Sequence, residues 1–309
     1  TMSFTAKDVA ALREKTGCGM MDCKKALTAS NGDVDAAIDF LREKGLAASA
    51  KKAGRIAAEG VAFAKVAADG KSGVVLEVNA ETDFVAKNAE FRAFVETCAD
   101  TILEKKPADL EALLADKAAG SELTVAELLQ EKVLTIGENI KVRRFARFDG
   151  VVATYIHAAG RIGVLVKFEA DDAVAAKPEF QEFAKDICMQ VAAANPAYLC
   201  AEKVPADVLD HEKKILMEQI SSDPKTANKP AQVIEKMVTG RIGKYYKENC
   251  LVEQIYVKNP DLTVEKYVEQ VGKELGGTIR IADYVRYEKG EGLEKRNDNF
   301  ADEIASLVK

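Results

Sequence analysis

The sequence predicts an α+β fold built of several lobes, on three observations. First, one pattern occurs twice: Gly60-Val61 is matched by Gly150-Val151, Gly73-Val74-Val75-Leu76 by Gly163-Val164-Leu165-Val166, and Glu90-Phe91-Arg92-Ala93-Phe94 by Glu179-Phe180-Gln181-Glu182-Phe183. Each copy reads as hairpin, connection and helix, so the core is a duplicated α/β unit with antiparallel sheets. Second, residues 4–45 hold three short amphipathic segments separated by capping residues, a small three-helix module. Third, residues 201–248 hold two long apolar-striped helices, one either side of Ser221-Ser222-Asp223-Pro224, which predicts a protruding antiparallel helical hairpin.

In chain order, Thr5 can cap a first helix carrying Val9 and Leu12, and Thr16-Gly17-Cys18-Gly19 breaks it. Asp22 is expected to cap the second helix, with Cys23, Ala26 and Leu27 inward. Asp33 caps the third, which carries Ala37, Ile38 and Leu41 and is expected to end at Gly45. The module resembles the ubiquitin-associated fold, in which a Gly-Met-type loop and the last helix form a docking surface. Met20 and Met21 fall in that loop, where methionines act as adaptable contact groups. An Ala-rich basic stretch, Leu46 to Ala58, follows as a connecting helix. The predicted units are 1–55 (module and linker), 56–142 (first core subdomain), 143–200 and 249–289 (second core subdomain, in two parts), 201–248 (arm) and 290–309 (C-terminal helical module).

The first copy's connection is Thr82-Asp83-Phe84-Val85, between the strand Gly73 to Asn79 and the helix from Asn88. Asp83 can cap that helix and Phe84 can turn inward as core. The second copy decides between core and contact. Its connection, Ala170 to Ala175, keeps acid but carries no aromatic, so the frame folds without Phe84. An aromatic that the frame can omit, on a connection held by rigid elements, reads as contact.

Beyond the duplication, Ile140 to Phe148 alternates as a strand, and Arg143, Arg144 and Arg147 read as its solvated face in preference to a nucleic-acid surface. Leu251 to Lys258 reads as an irregular connection, and Thr278 to Tyr287 as a strand able to join the second sheet. Gly290-Glu291-Gly292 reads as a hinge before a last amphipathic helix, Asn299 to Lys309.

Composition bounds the rest. At 309 residues the chain holds two domains or more, and a net charge of −6 argues against a general nucleic-acid binder. Six cysteines form no C-x-x-C pair and the two histidines, His157 and His211, lie far apart, so neither zinc nor another cofactor is expected. Thr1 precedes what reads as a start at Met2; scattered thiols without a signal peptide point to the cytoplasm, and no run suits a bilayer. No phosphate loop or nucleophile elbow occurs, so no enzyme chemistry is expected.

Two stretches carry a closer resemblance. Leu12-Arg13-Glu14-Lys15-Thr16-Gly17-Cys18-Gly19-Met20-Met21-Asp22-Cys23-Lys24-Lys25-Ala26-Leu27 looks like the N-terminal signature of the elongation factor Ts family. Glu77-Val78-Asn79-Ala80-Glu81-Thr82-Asp83-Phe84-Val85-Ala86-Lys87 resembles its second signature, with Ala80 where Cys or Ser is more usual. The resemblance covers the whole chain and implies a guanine-nucleotide exchange factor for elongation factor Tu in translation. It implies that Asp83 and Phe84, completed by Thr82 and Val85, wedge between two helices of the partner's GTPase domain beside its Mg²⁺ site. It also implies that Leu12, Met20 and Met21 contact another helix of that domain. A homodimer through the arm stays open. The competing readings are a ubiquitin-associated-type adaptor and a cysteine-dependent enzyme using Cys18 or Cys23.

Overall fold

The computed structural model describes residues 4–16, 18–226 and 228–294. The N-terminal module is α1 (Ala6–Thr16), α2 (Met20–Ala29) and α3 (Val34–Lys52). Val9, Leu12, Cys23, Ala26, Leu27, Ala37 and Leu41 meet in its centre. Asp33 caps α3 by accepting the Ala36 N–H. Two expectations change. Asp22 lies within α2, which starts from the extended backbone of Gly19, and pairs with Lys44 instead of capping. Gly45 does not end α3, because Leu46 to Lys52 is Ala-rich and continues the helix. Gly45 marks instead where α3 runs close to Gln130: a Cβ there would stand 3.4 Å from the Gln130 carbonyl oxygen.

The first core copy follows as β1 (Glu59–Val66), β2 (Ser72–Ala80), α4 (Asp83–Lys87), α5 (Ala89–Lys105), α6 (Leu110–Ala115), α7 (Val125–Ile136) and β3 (Lys141–Asp149). The second is β4 (Val151–His157), β5 (Ile162–Ala170), α8 (Asp172–Ala175), α9 (Pro178–Ala194), the arm α10 (Ala206–Ser222) and α11 (Ala231–Asn249), a small ribbon β6 (Ile255–Tyr256) and β7 (Asn259–Thr263), then α12 (Val264–Leu275) and β8 (Ile279–Glu288). Only the first strand of the ribbon, β6, falls within the stretch expected to be irregular, Leu251 to Lys258. The two large sheets have orders β1-β2-β3 and β4-β5-β8, antiparallel throughout. β3 therefore belongs to the first sheet, although a boundary at 142/143 assigned most of it to the second copy.

The sheets pack on each other through Ala64, Val75, Val152 and Leu165. α5 covers the outer face of the first with Phe91, Phe94, Val95 and Ile102, and α9 covers the second with Phe180, Phe183, Ile187 and Val191. This layering explains why Gly73 and Gly163 are matched. A Cβ on Gly73 would stand 2.7 Å from Leu165 Cδ1, and one on Gly163 would stand 3.2 Å from the Ala62 carbonyl carbon. Each glycine is where its sheet touches the other.

The arm helices pair through Leu216, Ile220 and Ile242, while Met217 and Val233 stay exposed. The expected hinge is not free. Gly290 is buried, takes φ +70°, and donates its N–H to Glu77 Oε1 at 2.7 Å. The helix expected from Asn299 to Lys309 lies outside the described residues.

Candidate functional site

β2 is buried along its whole length and ends at Ala80, which has no exposed surface. The chain then turns outward. Thr82 takes an extended conformation and its Oγ1 accepts the Val85 N–H at 3.4 Å, capping α4. Thr82, not Asp83, is thus the cap, and a short helix stands where a simple bend before α5 was expected. α5 has its own cap, Asn88, whose Oδ1 accepts the N–H groups of Glu90 at 2.7 Å and Phe91 at 3.2 Å.

On this one-turn helix the side chains divide sharply. Val85 is 7% exposed and joins the core under the first sheet, together with Ala86. Phe84 is 79% exposed. Asp83 also points outward and takes a hydrogen bond of 2.7 Å from Lys87 Nζ, one turn along. That bond, with the nearby charges of Lys87 and Lys289, holds the Asp83 carboxyl below its ordinary range. The Lys87 ammonium lies 5.9 Å from the centre of the Phe84 ring. The tip therefore presents one ring, one carboxylate and one ammonium to the outside.

Two anchors fix the tip from behind. Arg92 donates from Nε to the Ala86 carbonyl and from a terminal nitrogen to the Ala159 carbonyl of the second copy, each at 2.8 Å. Glu138, in the connection between α7 and β3, accepts hydrogen bonds from Glu81 and Thr82. Sequence reasoning missed both. Neither is marked out by an apolar period, since each works largely through backbone groups, and Ala159, Glu81 and Thr82 are brought close only by the fold.

The second copy repeats the arrangement without the tool. α8 buries Val174 where α4 buries Val85, and it exposes Ala173 where α4 exposes Phe84. The frame needs the valine and does not need the ring.

The structure brings Thr82, Asp83 and Phe84 together and withdraws two other residues named from the sequence. Val85 faces the core. Leu12 is 1% exposed, at the centre of the three-helix module, because it lies on the inward stripe of α1 with Val9. Neither side chain is available to a partner. Met20 and Met21 are 44% and 62% exposed, in the first turn of α2 rather than in a loop. They form a second outward apolar feature.

Little here suits covalent chemistry. Cys18 borders an apolar cleft of about 390 Å³ between α3 and α7, and burial pushes its thiol up. Cys23 is fully buried, and burial raises the Cys98 thiol to about 12. Thiolate, the reactive form, is scarce under such conditions. Among the described residues, no group of three or more His, Cys, Asp and Glu side chains could hold a metal, and no helix is long and apolar enough to cross a membrane. Arg143, Arg144 and Arg147 are not a solvated face. The first two turn to the buried Glu77 and the third to Asp149, at 2.7 Å.

Residues 81–291 match the family model described as Elongation factor TS. The chain is 49% identical to Elongation factor Ts of Syntrophotalea carbinolica over the full length of both. It is 48% identical to Elongation factor Ts of Clostridium botulinum strain Eklund 17B and 46% identical to that of Trichlorobacter lovleyi, with 99% of every chain covered. The alignment takes in module, duplicated core and arm, and the chain belongs to the elongation factor Ts family of translation elongation factors.

Proposed function

We propose that the protein is the guanine-nucleotide exchange factor of elongation factor Tu, acting in the cytoplasm by inserting Asp83 and Phe84 beside the Mg²⁺ site of the partner's GTPase domain. One observation carries the reading. An aromatic ring stands 79% exposed on a one-turn helix whose other apolar residues are buried, while the duplicated copy exposes only an alanine there. An isolated ring in water is a poor fold element and a good anchor.

The mechanism needs no covalent step and no cofactor of the factor's own. In the partner, GDP is held through Mg²⁺ and phosphate-binding backbone. A ring and a carboxylate pressed between neighbouring helices displace the elements that order those ligands. The factor then binds best to the nucleotide-free form, and by reciprocity it weakens GDP as much as GDP weakens it. Each tenfold of coupling requires about 1.4 kcal/mol, within reach of one buried aromatic anchor. The test is release of labelled GDP from elongation factor Tu with and without the protein. A rate unchanged by stoichiometric addition would remove the proposal.

Met20 and Met21 supply the second contact in this reading. Replacing both with Ala is expected to weaken complex formation about tenfold. The same change leaves the unfolding midpoint nearly fixed, since both are exposed. An affinity equal to wild type, measured by titration calorimetry, would confine docking to the core.

The thiol-enzyme alternative meets buried cysteines. Cys200 is the only cysteine with appreciable exposure, and burial followed by the neighbouring Glu202 raises its thiol as well. Brief treatment with iodoacetamide near neutral pH should label Cys200 ahead of the other five and leave GDP release unaffected. Loss of activity in step with labelling of Cys18 or Cys23 would favour the enzyme. Recovery of ubiquitin instead of a GTPase in a pull-down would favour the adaptor.

A further inference from the structure

α4 is five residues long, too short to hold its own direction, so the aim of Phe84 must come from bonds outside the helix. The connection from α7 to β3 supplies them. Gly137 closes α7 at φ +88°, and Glu138 follows with its carboxylate turned to the tip. Oε2 accepts the N–H groups of Glu81 and Thr82, each at 3.0 Å, and Oε1 accepts the Thr82 hydroxyl at 2.7 Å. The grip is reciprocal, because Glu81 Oε1 accepts the Asn139 N–H at 2.7 Å.

The hydroxyl bond has a directional consequence. A threonine hydroxyl has one proton to give. With that proton committed to Glu138, a lone pair of Oγ1 is left for the Val85 N–H, the bond that caps α4. One carboxylate thus fixes the two backbone groups before Asp83 and orients the cap. Bonds to an ionised acceptor are the strong kind.

The duplication supplies an independent comparison. α12 closes at Gly276 in the left-handed conformation, as α7 closes at Gly137. The pairings Asn79 with Lys141 and Glu169 with Arg280 put the following strands in the same register. Glu138 then corresponds to Gly277. The copy that exposes a ring carries the carboxylate, whereas the copy that exposes Ala173 carries glycine, and its cap residue Asp171 makes no side-chain cap bond.

We propose that Glu138 is a positioning residue for nucleotide exchange: it aims the Asp83-Phe84 tip by holding Glu81 and Thr82. The proposal rests on the wedge reading above. It is tested with Glu138→Ala, Glu138→Gln, Phe84→Ala and the double variant Glu138→Ala/Phe84→Ala in the full chain. In the free protein, amide hydrogen exchange over residues 81–88 should quicken about tenfold in Glu138→Ala, with Glu138→Gln between it and wild type. Unchanged exchange there overturns the proposal whatever the GDP assay shows. In the GDP assay, Glu138→Ala should lower the maximal release rate about fivefold or more while half-saturation moves little. On the Phe84→Ala background the same change should cost less than about twofold, because the ring it aims is gone. Equal losses on both backgrounds overturn the positioning role. If Phe84→Ala itself leaves release untouched, the wedge reading fails, and the amide exchange still reports on the grip.

Discussion

Phe84→Ala slows catalysed GDP release by roughly tenfold or more, the loss expected when an anchoring ring worth about 1.4 kcal/mol or more is removed. The folded state hardly notices. The ring is 79% exposed, and the Lys87 ammonium that lies 5.9 Å from its centre is itself exposed. Stability should therefore move by no more than about 0.5 kcal/mol, as for a surface change away from structural features. Val85→Ala makes the useful contrast, because Val85 is in the core and should behave in the opposite way. Asp83→Ala removes only the exposed, solvent-screened pair with Lys87, so stability should hardly move, and it should slow release less than loss of the ring. The measurements are a denaturant midpoint and a GDP-release rate on each variant. A stability loss of about 3 kcal/mol with exchange intact, of the size seen on emptying a core aromatic site, would place Phe84 in the core and remove the wedge.

The duplication was legible in the sequence because its strands and helices keep one spacing in both copies. It stopped being legible at the third strands. β3 and β8 occupy the same place in their sheets, but the arm and ribbon separate β8 from its partners, so no constant spacing links them. The exposure of Phe84 followed from comparing copies, since Ala173 shows what the frame requires. The same comparison separates Val85 from the tip, because its counterpart Val174 is buried as well. For Leu12 the inward stripe of α1 and the family signature point to opposite sides, and packing allows only the inward one. Gly45 carried a C-cap composition and served a helix contact instead, which only the approach of Gln130 reveals. Glu138 had no local signal at all, because its partners, two backbone N–H groups and the Thr82 hydroxyl, lie more than fifty residues away in the chain.

Glu77 was invisible for a related reason, and it carries the largest expected stability effect. In a regular strand consecutive residues face opposite sides, so Arg143 and Arg144 could neither share one solvated face nor reach one carboxylate. A β-bulge defeats that rule: Glu77 pairs with Arg144 and Val78 with Val142, leaving Arg143 as the extra residue. Both guanidinium groups then reach one fully buried carboxylate, Arg143 at 3.1 Å and Arg144 at 2.6 Å. The same carboxylate accepts from Asn79 Nδ2 at 3.0 Å and from the Gly290 N–H at 2.7 Å. Arg143 continues to the Glu291 carbonyl at 2.6 Å, and Arg144 lies 4.2 Å from the centre of the Tyr287 ring. A latch therefore joins the first sheet to the end of β8, and Gly290 is its tightest point, since a Cβ there would lie 2.2 Å from the Ala58 carbonyl oxygen. The second copy bulges at the matching place but has Lys167 and Asp283 there, so the latch is built once. Glu77→Ala takes the buried carboxylate from two arginines and strands the buried Gly290 N–H, although Arg144 keeps Glu291 at 3.2 Å. Removing one partner of a buried pair costs about 3–5 kcal/mol, and the lower end applies because both arginines keep about a quarter of their side-chain surface in water. Glu77→Gln keeps acceptor capacity without charge and should lose less. Denaturant midpoints on the two variants decide the matter: a loss under about 1 kcal/mol for Glu77→Ala would mean that desolvation cancels the pairing and that the packing of the two sheets on each other alone holds the two copies' ends together.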